Sequence, residues 1–207
     1  MNSKNSTNEE IRKKIARRLY EVEGIKFGEF TLTSGKSSPY YVDLRIVPSY
    51  PKLFDEITEA CAEMIDEEIK GEYRLAGVPT SGLPFATLVS HKLTLPLIYV
   101  RKKEKSHGRK KSVEGLLEED EIVLVDDIST TGGSIKEAGE TVREEGGNVK
   151  HAVVIIDREE GAEEALKDMD IQLHACFKIS EIVEYLKEDS KLSEDEYSLV
   201  MNHLENT

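Results

Sequence analysis

What this chain lacks narrows it first. Of its 207 residues only two are cysteine, Cys61 and Cys176, in apolar settings and without C-x-x-C spacing. A disulfide framework or cysteine-held metal is therefore not expected, and two buried thiols in a reducing compartment are. No apolar run approaches membrane-spanning length and the N-terminus is polar rather than signal-like, so a cytoplasmic location is expected. Positive charge is scarce as well: 28 Lys and Arg against 41 Asp and Glu leave a net charge of -13. That balance argues against general nucleic-acid binding and against adhesion to anionic membranes, so any anionic substrate needs a local basic patch. Neither G-x-x-x-x-G-K-[ST] nor a G-x-G-x-x-G after a strand occurs, which demotes the P-loop and dinucleotide-binding readings.

What is present is an alternation of strand-like and helix-like segments. Five strand candidates, Leu75–Val78, Leu97–Val100, Ile122–Val125, Val149–Ile156 and Ile171–Phe177, are separated by helical stretches near Pro84–Lys92, Ser134–Glu145 and Ala162–Lys167. This order predicts an α/β fold with a mostly parallel five-stranded sheet flanked by helices, and ligands gathering at the strands' C-terminal ends. Thr7 and Glu10 form a capping-box pair before a first helix, Pro51 can open a second, and Ser193 with Glu196 can cap a last one. The first helix has Arg12, Lys13, Arg17 and Arg18 off its apolar face, for which a solvated face is a better reading than a binding one. One domain spanning 1–207 is expected, with 1–50 as an N-terminal helix and hood subregion.

The chemistry concentrates in Ile122 to Ser134, where four apolar residues run into Asp126 and Asp127 and then into Ile128, Ser129, Thr130, Thr131, Gly132, Gly133 and Ser134. A buried strand that passes through a Gly/Thr/Ser turn into a helix N-terminus presents backbone N–H groups and the positive end of the helix dipole, which suits a phosphate. The two carboxylates can accept hydrogen bonds from ribose hydroxyls, but both can serve one ligand only if the strand ends there, because successive strand residues alternate faces. Two solvated aspartates beside an ordinary capped helix would explain either half of the run, but not both halves together.

Three other segments bear on the same chemistry. Pro79, Thr80, Ser81 and Gly82 form a second strand-to-helix turn at the same sheet edge, a weak signal by itself. Arg101 to Lys111 concentrates cations in an acidic chain, and beside two anion turns it reads as a cationic lid over a polyphosphate. Lys26 to Asp43 is rich in aromatics and turn residues and reads as a small hairpin hood, or equally as a structural hairpin. Arg158, after the fourth strand, could pair bidentately with a carboxylate or make an ordinary surface ion pair.

In this order the segments resemble the type I phosphoribosyltransferases, and among them the orotate enzymes, from about Phe27 to Arg158. The resemblance implies that Asp126 and Asp127 hold the ribose hydroxyls of phosphoribosyl pyrophosphate (PRPP), Ser129 to Ser134 its 5'-phosphate, and Pro79 to Gly82 its pyrophosphate. It places Thr130 and Arg158 on orotate, with Arg158 on the carboxylate and the Tyr40, Tyr41 and Val42 strip near the ring. It further implies a homodimer in which Lys102, Lys105 and His107 complete the neighbouring subunit's site, no nucleic-acid or membrane partner, and Mg2+ carried on PRPP without direct protein ligands. Arg101, Lys102, Lys105 and His107 would neutralise the departing pyrophosphate; Lys105 is the first choice for a catalytic cation, His107 is a possible proton donor, and Asp127 completes the catalytic set. Thr33 and Ser81 stand where many or some members carry lysine, leaving Lys36 and Lys103 as the candidates to compensate. Alternatives are a phosphoribosyltransferase for another base and a PRPP-sensing regulator; the latter should carry an added DNA-binding segment and a degraded loop.

Overall fold

The computed structural model describes residues 2–31, 35–102, 112–118 and 121–206, with backbone alone for 2–7. Its chain divides into two compact units, one made of Met1–Ile57 with Phe177–Thr207 and the other of Thr58–Cys176.

The second unit is the sheet. Strands β3 (Tyr73–Gly77), β4 (Leu97–Val100), β5 (Val113–Glu114), β6 (Glu121–Ser129), β7 (Asn148–Asp157) and β8 (Gln172–Lys178) lie in the order β5-β4-β3-β6-β7-β8. Six strands therefore replace the expected five; the addition is β5, two residues that pair antiparallel with β4 and are too short to give a periodic signal. Pairs β3–β4, β3–β6 and β6–β7 are parallel, as the unbroken apolar runs imply. Successive positions split between two covered faces. Ala76, Ile122, Leu124, Ala152 and Val154 pack with Ile135, Ala138 and Val142 of α4 (Gly133–Glu144). Gly77 points the other way, toward Leu83 and Ala86 of α3 (Gly82–Leu93), so α3 and α4 cover opposite faces.

Because the chain leaves β3 outward to β4 but leaves β6 outward to β7, the connections diverge between β3 and β6, which is the topological switch point where such sheets bind ligands. At the strands' other ends, Glu121, His151, His174 and Glu68 form a chain of side-chain contacts at 3.3, 3.0 and 2.6 Å. Burial of His151 and the neighbouring His174 lower its pKa from the usual histidine value. Cys61 and Cys176 are both buried, as their apolar contexts suggest.

The first unit builds on α1 (Asn2–Glu21), a hairpin of β1 (Ile25–Thr31) and β2 (Ser37–Val42), a 3-10 helix (Leu44–Ser49), the start of α2 (Pro51–Glu68), α6 (Ile179–Glu188) and α7 (Glu194–Glu205). Pro51 opens α2 as expected, and Ser193 and Glu196 close a reciprocal capping box on α7, with Glu196 N–H donating to Ser193 Oγ at 3.2 Å. Thr7 does not open α1, which already runs from Asn2; its Ser/Thr-x-x-Glu signature lies inside a helix that continues past it. The basic residues of α1 stay partly exposed to solvent, as expected, but are paired with acids. Arg12 pairs with Glu181, Lys13 with Glu188 and Arg17 with Asp189 on α6 and just beyond it, while Lys14 and Arg18 share Glu56 of α2. Each such pair adds little by itself. Arg12 also stacks its guanidinium 4.6 Å from the Phe177 ring centroid. The hairpin's register breaks between Phe27 and Phe30, where Gly28 takes φ 144, so the predicted hairpin is present with a bulge at its glycine.

Candidate active site

The strand that carries the acids does not stop before them. Strand β6 continues through Asp126 and Asp127 to Ser129 because its backbone stays paired with β7, Asp126 opposite Val154, Ile128 opposite Ile156 and Ser129 opposite Asp157. The expected strand end at Val125 is therefore four residues early. Both acids are nonetheless buried side by side: they are 5% and 7% exposed, and Asp126 Oδ1 accepts the Asp127 backbone N–H at 2.9 Å. Burial pushes the Asp126 carboxyl well above the usual carboxylate range, and the Asp127 charge and a side-chain hydrogen bond to Asp127 push it the same way. Such a pair needs donors or positive charge from a ligand before both members can ionise.

Beyond Ser129 the chain turns through Gly132, which sits at φ 76 as the N-cap of α4. Glycine is required in practice at that left-handed position. Residues Ile128 to Ile135 line a cavity of about 150 Å³ at the helix N-terminus, so Thr130, Thr131, Gly132, Gly133 and Ser134 are together as expected. Ser129 lines it too, but its hydroxyl donates to Asp157 Oδ1 at 2.7 Å, which ties the end of β6 to the end of β7. Its proton is thus used within the protein, and the remaining hydroxyls and backbone N–H groups are the cradle's donors.

A second cavity of about 150 Å³ joins the other turns to this one. It is lined by Val78, Pro79, Val100, Arg101, Lys102 and Ser134, with Glu137, Ala138 and Thr141 of α4 behind. Pro79 of the second turn and Arg101 of the basic run, 22 positions apart in sequence, thus share one wall with Ser134. Thr80 and Ser81 lead into α3; the Pro79–Thr80 peptide is cis, and Ser81 is the N-cap without a side-chain capping bond. Gly82 is the first residue of α3 and lies against the acids: a Cβ there would be 2.8 Å from Asp126 Cα, Asp126 Oδ1 and the Val125 carbonyl oxygen.

Arg101 is held by Glu114, with Nη1 donating to Oε1 at 3.0 Å. Arg158 is buried rather than at the surface, and its Nε donates to Glu160 Oε1 at 2.9 Å, which removes the surface-pair reading while placing an acid beside the guanidinium. In the first unit, Tyr40 is fully buried with its ring edge-on to His203, Val42 is buried, and Tyr41 is the partly exposed member, packed on Phe30 at 5.7 Å. Lys103, Lys105, His107 and Thr33 lie outside the described residues. Four acids went unread in the sequence: Glu114, Glu137, Glu145 and Glu160. Glu160 stands two positions from Arg158 and Glu114 just past the basic run, so both had a local signal; Glu137 and Glu145 act only through the fold.

An acidic strand that opens into a Gly/Thr/Ser cradle at the switch point of a parallel sheet defines an α/β protein built to hold a ribose phosphate. Residues 47–185 match the phosphoribosyl transferase domain family. The chain is 40% identical to the orotate phosphoribosyltransferase of Sulfolobus acidocaldarius over 186 residues, covering 90% of this chain and 93% of that one. Among solved structures, orotate phosphoribosyltransferase from Aeropyrum pernix superposes with a TM-score of 0.77 at 33% identity, over 84% of this chain and 98% of that one. Leishmania donovani UMP synthase superposes with a TM-score of 0.84 at 30% identity, over 94% of this chain and 42% of that longer one. The chain belongs to the phosphoribosyl transferase family and, within it, to the orotate phosphoribosyltransferases.

Proposed function

We propose that this chain moves ribose 5-phosphate from PRPP to N1 of orotate, forming orotidine 5'-phosphate and pyrophosphate, a step of pyrimidine (UMP) biosynthesis. The observation that carries the reading is the buried Asp126 and Asp127 pair on a strand that runs into the Thr130–Ser134 cradle, whose Ser134 shares a second wall with Pro79, Arg101 and Lys102. A ribose held by the acids and a 5'-phosphate held in the cradle would direct the anomeric leaving group toward the cationic wall. Bond cleavage there builds negative charge on pyrophosphate and positive charge on the ribose ring, so fixed cations at the leaving group and fixed carboxylates at the ribose stabilise both.

Arg101 and Lys102 serve the leaving group, and Lys105 and His107 are assigned there by resemblance alone. Thr130 and Arg158 are assigned to orotate, Arg158 beside its Glu160 partner, and Tyr40, Tyr41 and Val42 are assigned to its ring by resemblance alone. Mg2+ fits the chemistry on offer, since the buried carboxylate pair is a hard-oxygen set in need of positive charge, and among the described residues no cluster of three or more His, Cys, Asp or Glu could hold a metal unaided. Bound with PRPP, the ion would neutralise phosphate charge. Residues 1–207 act as one phosphoribosyltransferase domain in this reading. We extend it to a homodimer, in the cytoplasm, whose Lys105 and His107 act across the interface, while Lys102, expected to act there too, lines the wall of its own chain. None of the described helices is long and apolar enough to cross a membrane.

Mixing the protein with orotate, PRPP and Mg2+ and following orotate absorbance is expected to show loss that depends on all three. Turnover with adenine, guanine or hypoxanthine and none with orotate would replace the base assignment. Binding of PRPP with no turnover of any base would favour a sensor.

A further inference from the structure

Arg101 leaves the end of β4 with its side chain 38% exposed, so it must be aimed before it can meet an anion at a fixed place. Three sets of contacts aim it. Glu114 Oε1 accepts from Arg101 Nη1 at 3.0 Å, and the Ser112 carbonyl accepts from the Arg101 N–H at 2.8 Å. Glu145, the C-cap of α4, then accepts from the Ser112 and Val113 N–H groups, the second at 3.2 Å. Strand β5 is only two residues long at the sheet's edge, too short to hold its place through its own ladder. An acid at a helix C-terminus also runs against the helix dipole. Glu145 therefore costs α4 something, and what it provides is the seat of β5.

We propose that Glu114 and Glu145 are positioning residues that fix Arg101 on the departing pyrophosphate. Helix α4 is the beam between the two halves of the site: its N-terminus forms the cradle at Gly132–Ser134, and its other end holds Ser112 and Val113, whose strand carries Glu114. Twelve residues make this beam about 18 Å long. Phosphate cradle and leaving-group cation are thereby set on one rigid element, at a distance the sequence spacing of Ser134 from Arg101 does not reveal. The inference rests on the reading that Arg101 meets pyrophosphate.

The test is steady-state kinetics in both directions on Arg101→Ala, Glu114→Gln, Glu145→Ala, Glu145→Gln and the Arg101→Ala/Glu114→Gln double variant. Arg101→Ala is expected to raise KM for PRPP and for pyrophosphate about tenfold, the size of one lost charge-assisted hydrogen bond. Glu114→Gln and Glu145→Ala should each raise the same two constants about three- to tenfold, with KM for orotate and Tm unchanged. Glu145→Gln should restore them, because the amide oxygen can accept the same two N–H groups, and the double variant should be no worse than Arg101→Ala. If Arg101→Ala changes neither constant, the assignment of Arg101 fails and the inference with it. If Arg101→Ala acts but Glu114→Gln and Glu145→Ala do not, or lower Tm and alter the orotate KM as much, the assignment of Arg101 stands and the positioning role is overturned.

Discussion

Asp126→Asn is expected to give a protein that is more stable and much less active. The physical reason lies in the folded state's hold on a proton. Burial, the Asp127 charge and their mutual hydrogen bond raise the Asp126 pKa above its unfolded value, so the folded chain keeps a proton that the unfolded chain gives up. Stability then falls as pH rises, starting near the ordinary aspartate value of about 3.8 and continuing up to the raised folded value. Asparagine is neutral and close in shape, and it removes that dependence. At pH 4 the variant and parent should melt together; by pH 7.5 the variant should melt higher by at least ~2–4 °C, which is ~1 kcal/mol for a chain of this size. Equal or lower Tm for the variant at pH 7.5, or a difference that does not grow with pH, would refute the account.

Activity should move the other way. A carboxylate that accepts from a ribose hydroxyl contributes more than an amide oxygen does, and hydrogen bonds to charged groups are worth about 1.5–3 kcal/mol. The expected loss in kcat/KM for PRPP is therefore about 10- to 100-fold. Because PRPP with Mg2+ favours the ionised pair, PRPP affinity of the parent should also climb with pH across the window in which the free protein loses stability. The same charge pair thus destabilises the unliganded protein and is satisfied by its substrate.

Much of this arrangement was legible because it depends on periods and short motifs. Unbroken runs such as Ile122–Val125 gave the parallel strands, and the Thr130–Ser134 turn gave the cradle, since a strand, a turn and a helix are contiguous in sequence. One element with a comparable signal is α6, where Ile179, Ile182, Val183 and Leu186 repeat at helical spacing and are all buried, a pattern that strand-centred reading passes over. The end of β6 was misjudged for a physical reason, since polar Asp126 and Asp127 look like a strand's exit, while pairing with β7 carries the backbone on to Ser129. Long-range acids could not be read. Glu145 meets Ser112 across 33 positions and Ser129 meets Asp157 across 28, and no local pattern encodes either contact. The basic stripe on α1 shows the same limit in reverse, as its charges look unpaired until α6, the residue after it and α2 supply Glu181, Glu188, Asp189 and Glu56.

Gly82→Ala should be the more damaging change, although by local propensity it ought to help. Alanine is favoured over glycine by about 1 kcal/mol inside a helix, and by less at a first helical residue such as this one. Gly82 does not need glycine for its backbone angle, since it is not among the positive-φ residues. Packing decides the sign. The new Cβ would lie 2.8 Å from Asp126 Cα and from the Val125 carbonyl oxygen, where carbon atoms normally stay about 3.5–4.0 Å apart. Both are backbone atoms of a central strand paired on two sides, so neither can swing aside as a side-chain tip would. Either the start of α3 or the acid-bearing end of β6 must shift, and both belong to the site. Overpacking of this kind costs about 1–3 kcal/mol, more than the helix propensity returns. A displacement approaching 1 Å between the Pro79–Gly82 turn and Asp126 should cost about 100-fold in kcat/KM for PRPP. Gly77→Ala is the control, because its Cβ would meet chiefly Leu83 Cδ2, the end of a flexible side chain, with Ala86 Cβ next at 3.2 Å. It should cost far less activity than Gly82→Ala. Comparable kinetics for the two variants, or Gly82→Ala with the parent's kcat/KM, would show that the α3 start and the Asp126 carboxylate do not need their present separation.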